Sequence, residues 1–205
     1  RNLYINSSYK NSFGNNWSYE TGISYTNDAN KTTVNSNAIN NNTNAAHFKL
    51  KLKKYFSCRW KLNFGSEYFL TDFKENFASE KSNYLKTGFY NTTIASFIET
   101  DIFFSKNLAT KIGLRTENNN FLNEFTLSPR AAIAYKINKT KQLSLAYGQF
   151  YQNPKNDFLK FTKTLKSEKA SHFIANYQSI KKNTIFKIEA YFKDYTNLIK
   201  FNNQQ

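Results

Sequence analysis

The chain alternates apolar and polar side chains with a period of two, in blocks of about ten residues that end in polar turns. One block sets Trp17, Tyr19, Thr21, Ile23 and Tyr25 against Ser18, Glu20, Gly22, Ser24 and Thr26. Only a β-strand has a side-chain period of two, so each block predicts a strand with one apolar and one polar face.

Alternation and turn residues together predict about ten strands. They cover approximately residues 2–9, 16–27, 46–53, 58–70, 90–104, 108–117, 125–137, 142–151, 167–179 and 184–195. Four long loops are predicted at about 28–44, 71–84, 118–123 and 152–166. The first is an Asn/Thr/Ser tract with almost no apolar content, predicted to be a solvated loop. The last spaces Phe158, Phe161 and Leu165 as a short helix would.

Connections alternate between short and long, as in outer-membrane barrels with tight periplasmic turns and long extracellular loops. The strands exceed the five or six residues usual in soluble sheets and suit a tilted membrane crossing. The predicted fold is therefore all-β, an antiparallel transmembrane β-barrel wall of about ten strands.

The composition supports a bilayer over a protein core as the apolar medium. Aromatic residues make up 18% of the chain, yet the mean hydropathy is −0.69. A barrel with an apolar outside, a polar lumen and aromatic girdles expects this mixture. No apolar run is long enough for a transmembrane helix. Candidate membrane-interface aromatics are Trp17, Tyr25, Trp60, Tyr68, Tyr135 and Tyr147.

The net charge of +15 raises the question of nucleic-acid binding. Only 4 of the 29 basic residues are Arg, the side chain suited to bidentate base and phosphate contacts. The Lys residues concentrate in turns and at strand ends, where they would flank a membrane. We expect no nucleic-acid partner.

Nothing in the chain has the spacing of a catalytic or metal site. His47 and His172 are far apart and lack further ligands nearby, and Cys58 is the only cysteine. No two carboxylates are placed in a shared apolar cleft beside a nucleophile. We therefore expect no enzyme activity and no cofactor.

Charged residues on the polar side of the strands are candidates for a barrel lumen. They are Glu99, Asp101, Lys111, Arg115, Glu117, Arg130 and Glu189. Arg130 follows Pro129 at the entry of a strand and could pair with a lumen carboxylate such as Glu117, or stay a solvated charge. Tyr84 and Tyr151, in predicted loops, are candidates for stacking on a ligand.

Several segments resemble strands of TonB-dependent outer-membrane receptors of the type found in Bacteroidota. The most specific are SPRAAIAY at 128–135 and LSLAYGQFYQNP at 143–154. Supporting segments are FIE at 97–99, IGLRTE at 112–117, EKASH at 168–172 and EAYFKDY at 189–195. The resemblance spans roughly residues 90 to 201.

The resemblance implies a 22-stranded barrel around an N-terminal plug in the Gram-negative outer membrane. Residues 1–205 would then be one partial barrel domain, without signal peptide, plug or closing strand. It implies energy-coupled import of a scarce large solute of the siderophore, cobalamin or glycan class. The implied partners are outer-membrane lipid and, through the plug, a TonB-type energy-coupling protein.

Two alternatives remain open at this point. A self-contained ten-stranded barrel could serve as an adhesin, structural protein or porin, because an even strand number can close. A soluble ligand-binding sandwich would have to bury lysines or expose a membrane-like surface, which disfavours it.

Overall fold

The protein forms one antiparallel sheet in which every strand pairs with its neighbours in sequence. The structure, a computed structural model, describes residues 1–35, 37–79 and 82–200. The ten strands run in the order β1 to β10 across the sheet, which confirms the predicted strand number and antiparallel arrangement. They are β1 Asn2–Phe13, β2 Trp17–Val34, β3 Asn37–Ser57, β4 Trp60–Ser79, β5 Ser82–Phe103, β6 Leu108–Asn119, β7 Glu124–Lys136, β8 Lys141–Gln152, β9 Glu168–Lys181 and β10 Thr184–Thr196.

The sheet has a turn end, where tight connections join the strands, and an outer end. The turn end carries the connections 14–16, 58–59, 104–107, 137–140 and 182–183. Gly14, Asn16 and Lys182 have positive φ there, which tight hairpin turns require. At the outer end β8 and β9 are joined by residues 153–167. This connection includes α1, a single helical turn at Asn156–Leu159 within the segment where a short helix was predicted.

The first two predicted loops are instead hairpins of hydrogen-bonded strand. β2 and β3 stay paired out to Val34 and Asn37, and β4 and β5 are paired out to Ser79 and Ser82. The loop predictions for 28–44 and 71–84 were therefore wrong, apart from positions 36, 80 and 81, which lie outside the described residues. A polar strand needs no apolar core when its backbone groups are paired in water by neighbours on both sides.

The sheet has an apolar face and a polar face. Directly opposite residues on paired strands share a face, so the pairing assigns each residue to one of the two. One row on the apolar face is Trp17, Lys54, Leu62, Thr100, Ile112, Ala131, Tyr147, Phe173 and Phe192. One row on the polar face is Lys53, Asn63, Glu99, Gly113, Arg130, Gly148, His172 and Lys193. The six candidate interface aromatics all lie on the apolar face.

From β2 to β10, the members of one row lie progressively further from the turn end of their strands. Trp17 is the first residue of β2, whereas Phe192, in the same row, lies eight residues beyond Thr184, the start of β10. Over the eight steps from β2 to β10 the stagger is about one residue per step. With about 3.3 Å per residue and about 4.8 Å between strands, the strands tilt by about 35°, as in membrane barrels.

Four of the six candidate interface aromatics lie in two tiers along the strands. Trp17 and Trp60 begin their strands at the turn end, and Tyr25 and Tyr68 lie eight residues further along. At about 2.7 Å of axial rise per tilted residue, the tiers are about 22 Å apart. The apolar band between the aromatic girdles of a membrane barrel is about 25 Å tall.

The sheet carries almost no hydrophobic core of its own. Within the described residues the buried apolar side chains are Phe73, Ala95, Leu122 and Leu159. Large side chains of the apolar face, such as Ile98 and Phe173, are about half exposed. No helix in the described part of the chain is long and apolar enough to cross a bilayer.

A charged polar face and its mouth segment

The polar face carries a chain of ion pairs that links three strands. Glu67 on β4 accepts from Lys49 on β3 (Nζ to Oε1, 3.2 Å) and from Arg115 on β6 (Nη1 to Oε2, 2.6 Å). The Arg115 Nε also lies 2.7 Å from Glu117 Oε1. Ala95 of β5 is fully buried between the two carboxylate-bearing positions, and its small side chain lets Arg115 reach across that strand.

A second group of charges lies nearer the turn end. Lys111 Nζ lies 3.0 Å from Glu99 Oε1 and 3.3 Å from Asp101 Oδ1. Between the two groups is a shallow cavity of about 200 Å³, whose charged lining residues are Lys49, Lys51, Glu67, Glu99, Arg115 and Arg130. Acids and bases alternate along this face, as a water-filled lumen allows.

Arg130 does not pair with Glu117. Its guanidinium lies over the Phe150 ring, 5.2 Å from the centroid, while Glu117 pairs with Arg115. Arg130 is opposite Gly113, four residues from the level of Glu117 on β6, so the two charges are too far apart along the strands. Phe150 in turn lies 4.9 Å from the His172 ring.

The seven predicted lumen candidates all lie on the polar face. Glu189 is the outlier in position, because it lies on the edge strand β10. There its Oε2 accepts from Asn176 at 3.1 Å and lies 3.4 Å from Lys187. Lys49 and Glu67, which complete the ion-pair chain, were missed as site residues, although their alternation already placed both on the polar side of their strands.

Polar atoms on this face are left without partners. Within the described residues, five buried side-chain atoms make no hydrogen bond: Asn41 Oδ1, His47 Nε2, Asn63 Oδ1, Asn91 Oδ1 and Thr126 Oγ1. All five residues have the register of the polar face. Since buried polar groups are normally satisfied, this face needs water or an inserted segment against it.

At the outer end the 153–167 connection, here called the mouth segment, folds over the polar face. Lys160 Nζ lies 2.7 Å from Glu75 Oε1, with both side chains almost buried, and Thr87 donates to the Lys160 carbonyl. Leu159, which belongs to the same segment, is buried. Ser167 is anchored to Glu124, to which its backbone N–H and its hydroxyl both donate.

An aromatic cluster extends this anchorage. The Phe73 and Phe89 rings are 5.5 Å apart, Phe89 and Phe121 are 4.5 Å apart, and Lys163 lies over Phe121. Phe73 and Phe89 are directly opposite and share the polar face. The mouth segment is therefore held on the polar face of the hairpins.

The two tyrosines predicted to contact a ligand from loops lie elsewhere. Tyr84 is in β5, at an irregularity in the pairing of β4 with β5, and Tyr151 is in β8 with the register of the apolar face. Lys86 lies over the Tyr84 ring and Lys169 over the Tyr151 ring. Their placement in loops was wrong, because the strands continue past the positions where the alternation weakens.

In the described residues, no group of three or more His, Cys, Asp or Glu side chains could hold a metal ion. Cys58 is free and exposed in a tight turn.

A family model described as TonB-dependent receptor-like, β-barrel, matches residues 1–205. This chain belongs to the TonB-dependent receptor β-barrel family. Proteins of this family lie in the Gram-negative outer membrane. No curated protein matches the chain in sequence.

Solved structures with the same fold are receptors and transporters of the outer membrane. The siderophore receptor PirA from Acinetobacter baumannii superimposes with a TM-score of 0.75 at 13% identity, covering 95% of this chain and 35% of PirA. The outer membrane transporter YddB from Escherichia coli gives 0.74 at 15%, covering 92% and 34%. The alcaligin outer-membrane receptor FauA from Bordetella pertussis gives 0.74 at 13%, covering 100% and 39%. The chain thus spans about a third of the receptors it matches.

Proposed function

We propose that residues 1–205 form part of the wall of a larger barrel that imports a scarce large solute by energy coupling. The lumen would hold a plug, which would satisfy the unpaired polar atoms of the polar face and contact a TonB-type protein. The solute classes are siderophore, cobalamin and glycan.

Among these classes, the mouth segment favours an anionic metal chelate of the siderophore type. It carries Lys155, Lys160, Lys163 and Lys166 against a single acid, Asp157. Lys160 is engaged by Glu75, whereas the other three lysines are exposed at the mouth. This excess of cations on a segment held over the lumen is the observation that carries the proposal, because it attracts anions to the entrance. PirA is named as a siderophore receptor and FauA as an alcaligin receptor.

The open sheet argues against a self-contained ten-stranded barrel. β1 pairs only with β2 and β10 only with β9 in the described part of the chain. Unpaired strand edges cannot be left in hydrocarbon, so in this proposal further strands cover both edges.

Uptake by cells that express the complete receptor tests this function. Labelled ferric siderophore should accumulate in wild-type cells and stop accumulating when the proton-motive force is dissipated. The triple variant Lys155→Gln, Lys163→Gln, Lys166→Gln should bind the chelate about tenfold more weakly, about 1.4 kcal/mol. Lys139→Gln with Lys182→Gln, in tight turns at the opposite end, is the control.

Chelate uptake that survives loss of the proton-motive force would contradict energy coupling. Equal loss of binding in the control variant would contradict a role for the mouth segment. Uptake of a neutral glycan without uptake of any ferric chelate would overturn the choice of solute class.

A further inference from the structure

The polar face carries a group of apolar side chains at its outer end. Beyond the level where β6 begins to pair with β5, the strands β2, β3, β4 and β5 continue outward. One row across them consists of Thr32, Ile39, Phe77 and Leu85, and Val34 lies on the same face two residues further out. We call Val34, Ile39, Phe77 and Leu85 the rim patch.

The rim patch is open to water. The side chains of Leu85 and Val34 are 59% and 61% exposed. The mouth segment is attached to the same face two residues lower, where Lys160 pairs with Glu75 and its carbonyl accepts from Thr87. Apolar side chains that are grouped and exposed mark a binding surface.

Cations of the mouth segment lie below the rim patch on the same face. Lys163 is exposed and lies over the ring of Phe121, which is 4.5 Å from Phe89. Leu85 is four residues beyond Phe89 on β5, which corresponds to about 11 Å of axial rise. Phe161, on the mouth segment, is 77% exposed and adds apolar surface between the two levels. An apolar surface therefore lies above a cationic one at the same entrance.

We propose that the imported solute is an amphiphile, an anionic metal chelate that carries an alkyl tail. This inference rests on the proposed function and narrows its solute class. The lysines of the mouth segment pair with the anionic head, and the rim patch contacts the tail. Three of the four side chains in the rim patch are aliphatic, which suits a flexible alkyl chain. A chelate without a tail, or a hydrophilic glycan, has no group to place on this surface.

Binding of two matched probes to the complete receptor, reconstituted in lipid nanodiscs, tests the inference. Both probes are ferric chelates with the same α-hydroxycarboxylate head, and they differ in carrying an acetyl or a dodecanoyl amide. Each buried methylene is worth about fourfold in affinity, so burial of about two or three predicts about thirtyfold tighter binding of the dodecanoyl probe. Titration of empty nanodiscs corrects for partitioning of the tail into the bilayer.

Variants of the exposed members of the rim patch connect this preference to the patch. Leu85→Gln with Val34→Thr should remove most of the preference and leave binding of the acetyl probe unchanged. Leu85→Met with Val34→Ile keeps the surface apolar and should retain the preference. Phe125→Gln is the control, because Phe125 is 66% exposed at the outer end of β7 but lies on the apolar face. A heat-modifiable band on gels reports that each variant is folded.

Equal binding of the two probes by wild-type receptor, or binding of neither, would overturn the inference, and the rim patch would then be covered by another segment or a partner. An unchanged preference in the Leu85→Gln, Val34→Thr variant would overturn it too, as would an equal loss in Phe125→Gln. Uptake by cells separates this inference from the proposed function. Energy-coupled import of the acetyl chelate without any preference for the tail refutes the inference alone. Tail-selective binding with uptake that survives loss of the proton-motive force refutes energy coupling alone.

Discussion

Arg115 on β6 and Glu67 on β4 form a 2.6 Å ion pair although β5 runs between them. Their side chains are only 19% and 9% exposed, so the pair is shielded more than a surface salt bridge. The pair fastens three strands together on the lumen side, in addition to their backbone hydrogen bonds.

Breaking this pair should destabilise the wall. Arg115→Gln leaves Glu67 partly buried with Lys49 as its remaining cation, and we expect a loss of about 1–3 kcal/mol of unfolding free energy. Denaturant unfolding of the complete receptor in detergent measures it. Lys187→Gln removes the exposed Lys187–Glu189 pair and should change stability by less than about 1 kcal/mol. Equal effects of the two substitutions would contradict the assignment.

The pair also depends on the small residue that it crosses. Ala95→Leu would fill the fully buried position between Glu67 and Glu117 and push Arg115 away. Overpacking of this kind costs about 1–3 kcal/mol. Ala134→Leu, at a half-exposed position on the same face, is the control for added volume in the same unfolding measurement. A stable Ala95→Leu variant would show that Arg115 does not need this path.

The mouth segment should loosen when its anchor is removed. Glu75→Gln removes the negative charge that pairs with Lys160, and chymotrypsin should then cut faster after Phe161, whose side chain is 77% exposed. A local loss of about 1.4 kcal/mol raises the opened population, and so the cleavage rate, about tenfold. Lys155→Gln removes an exposed lysine without an ion pair and should leave the rate unchanged. Faster cutting in both variants would argue against the anchor.

The two faces should respond differently to a new charge at the same depth. Ile98 lies five residues from the turn end of β5 on the apolar face, and Ala132 lies four residues from the turn end of β7 on the polar face. Lys at the lipid-facing mid-depth position costs about 2–4 kcal/mol, so Ile98→Lys should unfold at lower denaturant. Ala132→Lys should be close to wild type. If Ala132→Lys lost more stability than Ile98→Lys, the assignment of the two faces would be wrong.

The face of each residue could be predicted from the sequence because a period of two determines it. Trp17 and Tyr25, and likewise Glu99 and Lys111, lie on the sides that their alternation assigns. Height along the strand is different, because register depends on pairing that alternation does not encode. The expected pairing of Arg130 with Glu117 failed for that reason, with the correct face but a four-residue difference in level.

The lengths of the strands were the second feature that the alternation did not predict. The Asn-rich tract has no apolar face to read, so it was predicted to be a loop, yet Asn40 and Asn42 pair on both sides with neighbouring strands. The reach of Arg115 across Ala95 and the contact of Lys160 with Glu75 join residues distant in sequence, and no local pattern marks them.

The sheet is a meander, in which each strand pairs with its neighbours in sequence, and this arrangement affects how such a wall folds and how its size can change. Because each strand exchanges backbone hydrogen bonds only with the strands before and after it, every hairpin is a self-contained step of the wall. Folding can proceed by adding one hairpin at a time to a growing edge, with few distant contacts to search for. Gaining or losing one hairpin would widen or narrow the pore and leave the remaining strand pairs unchanged.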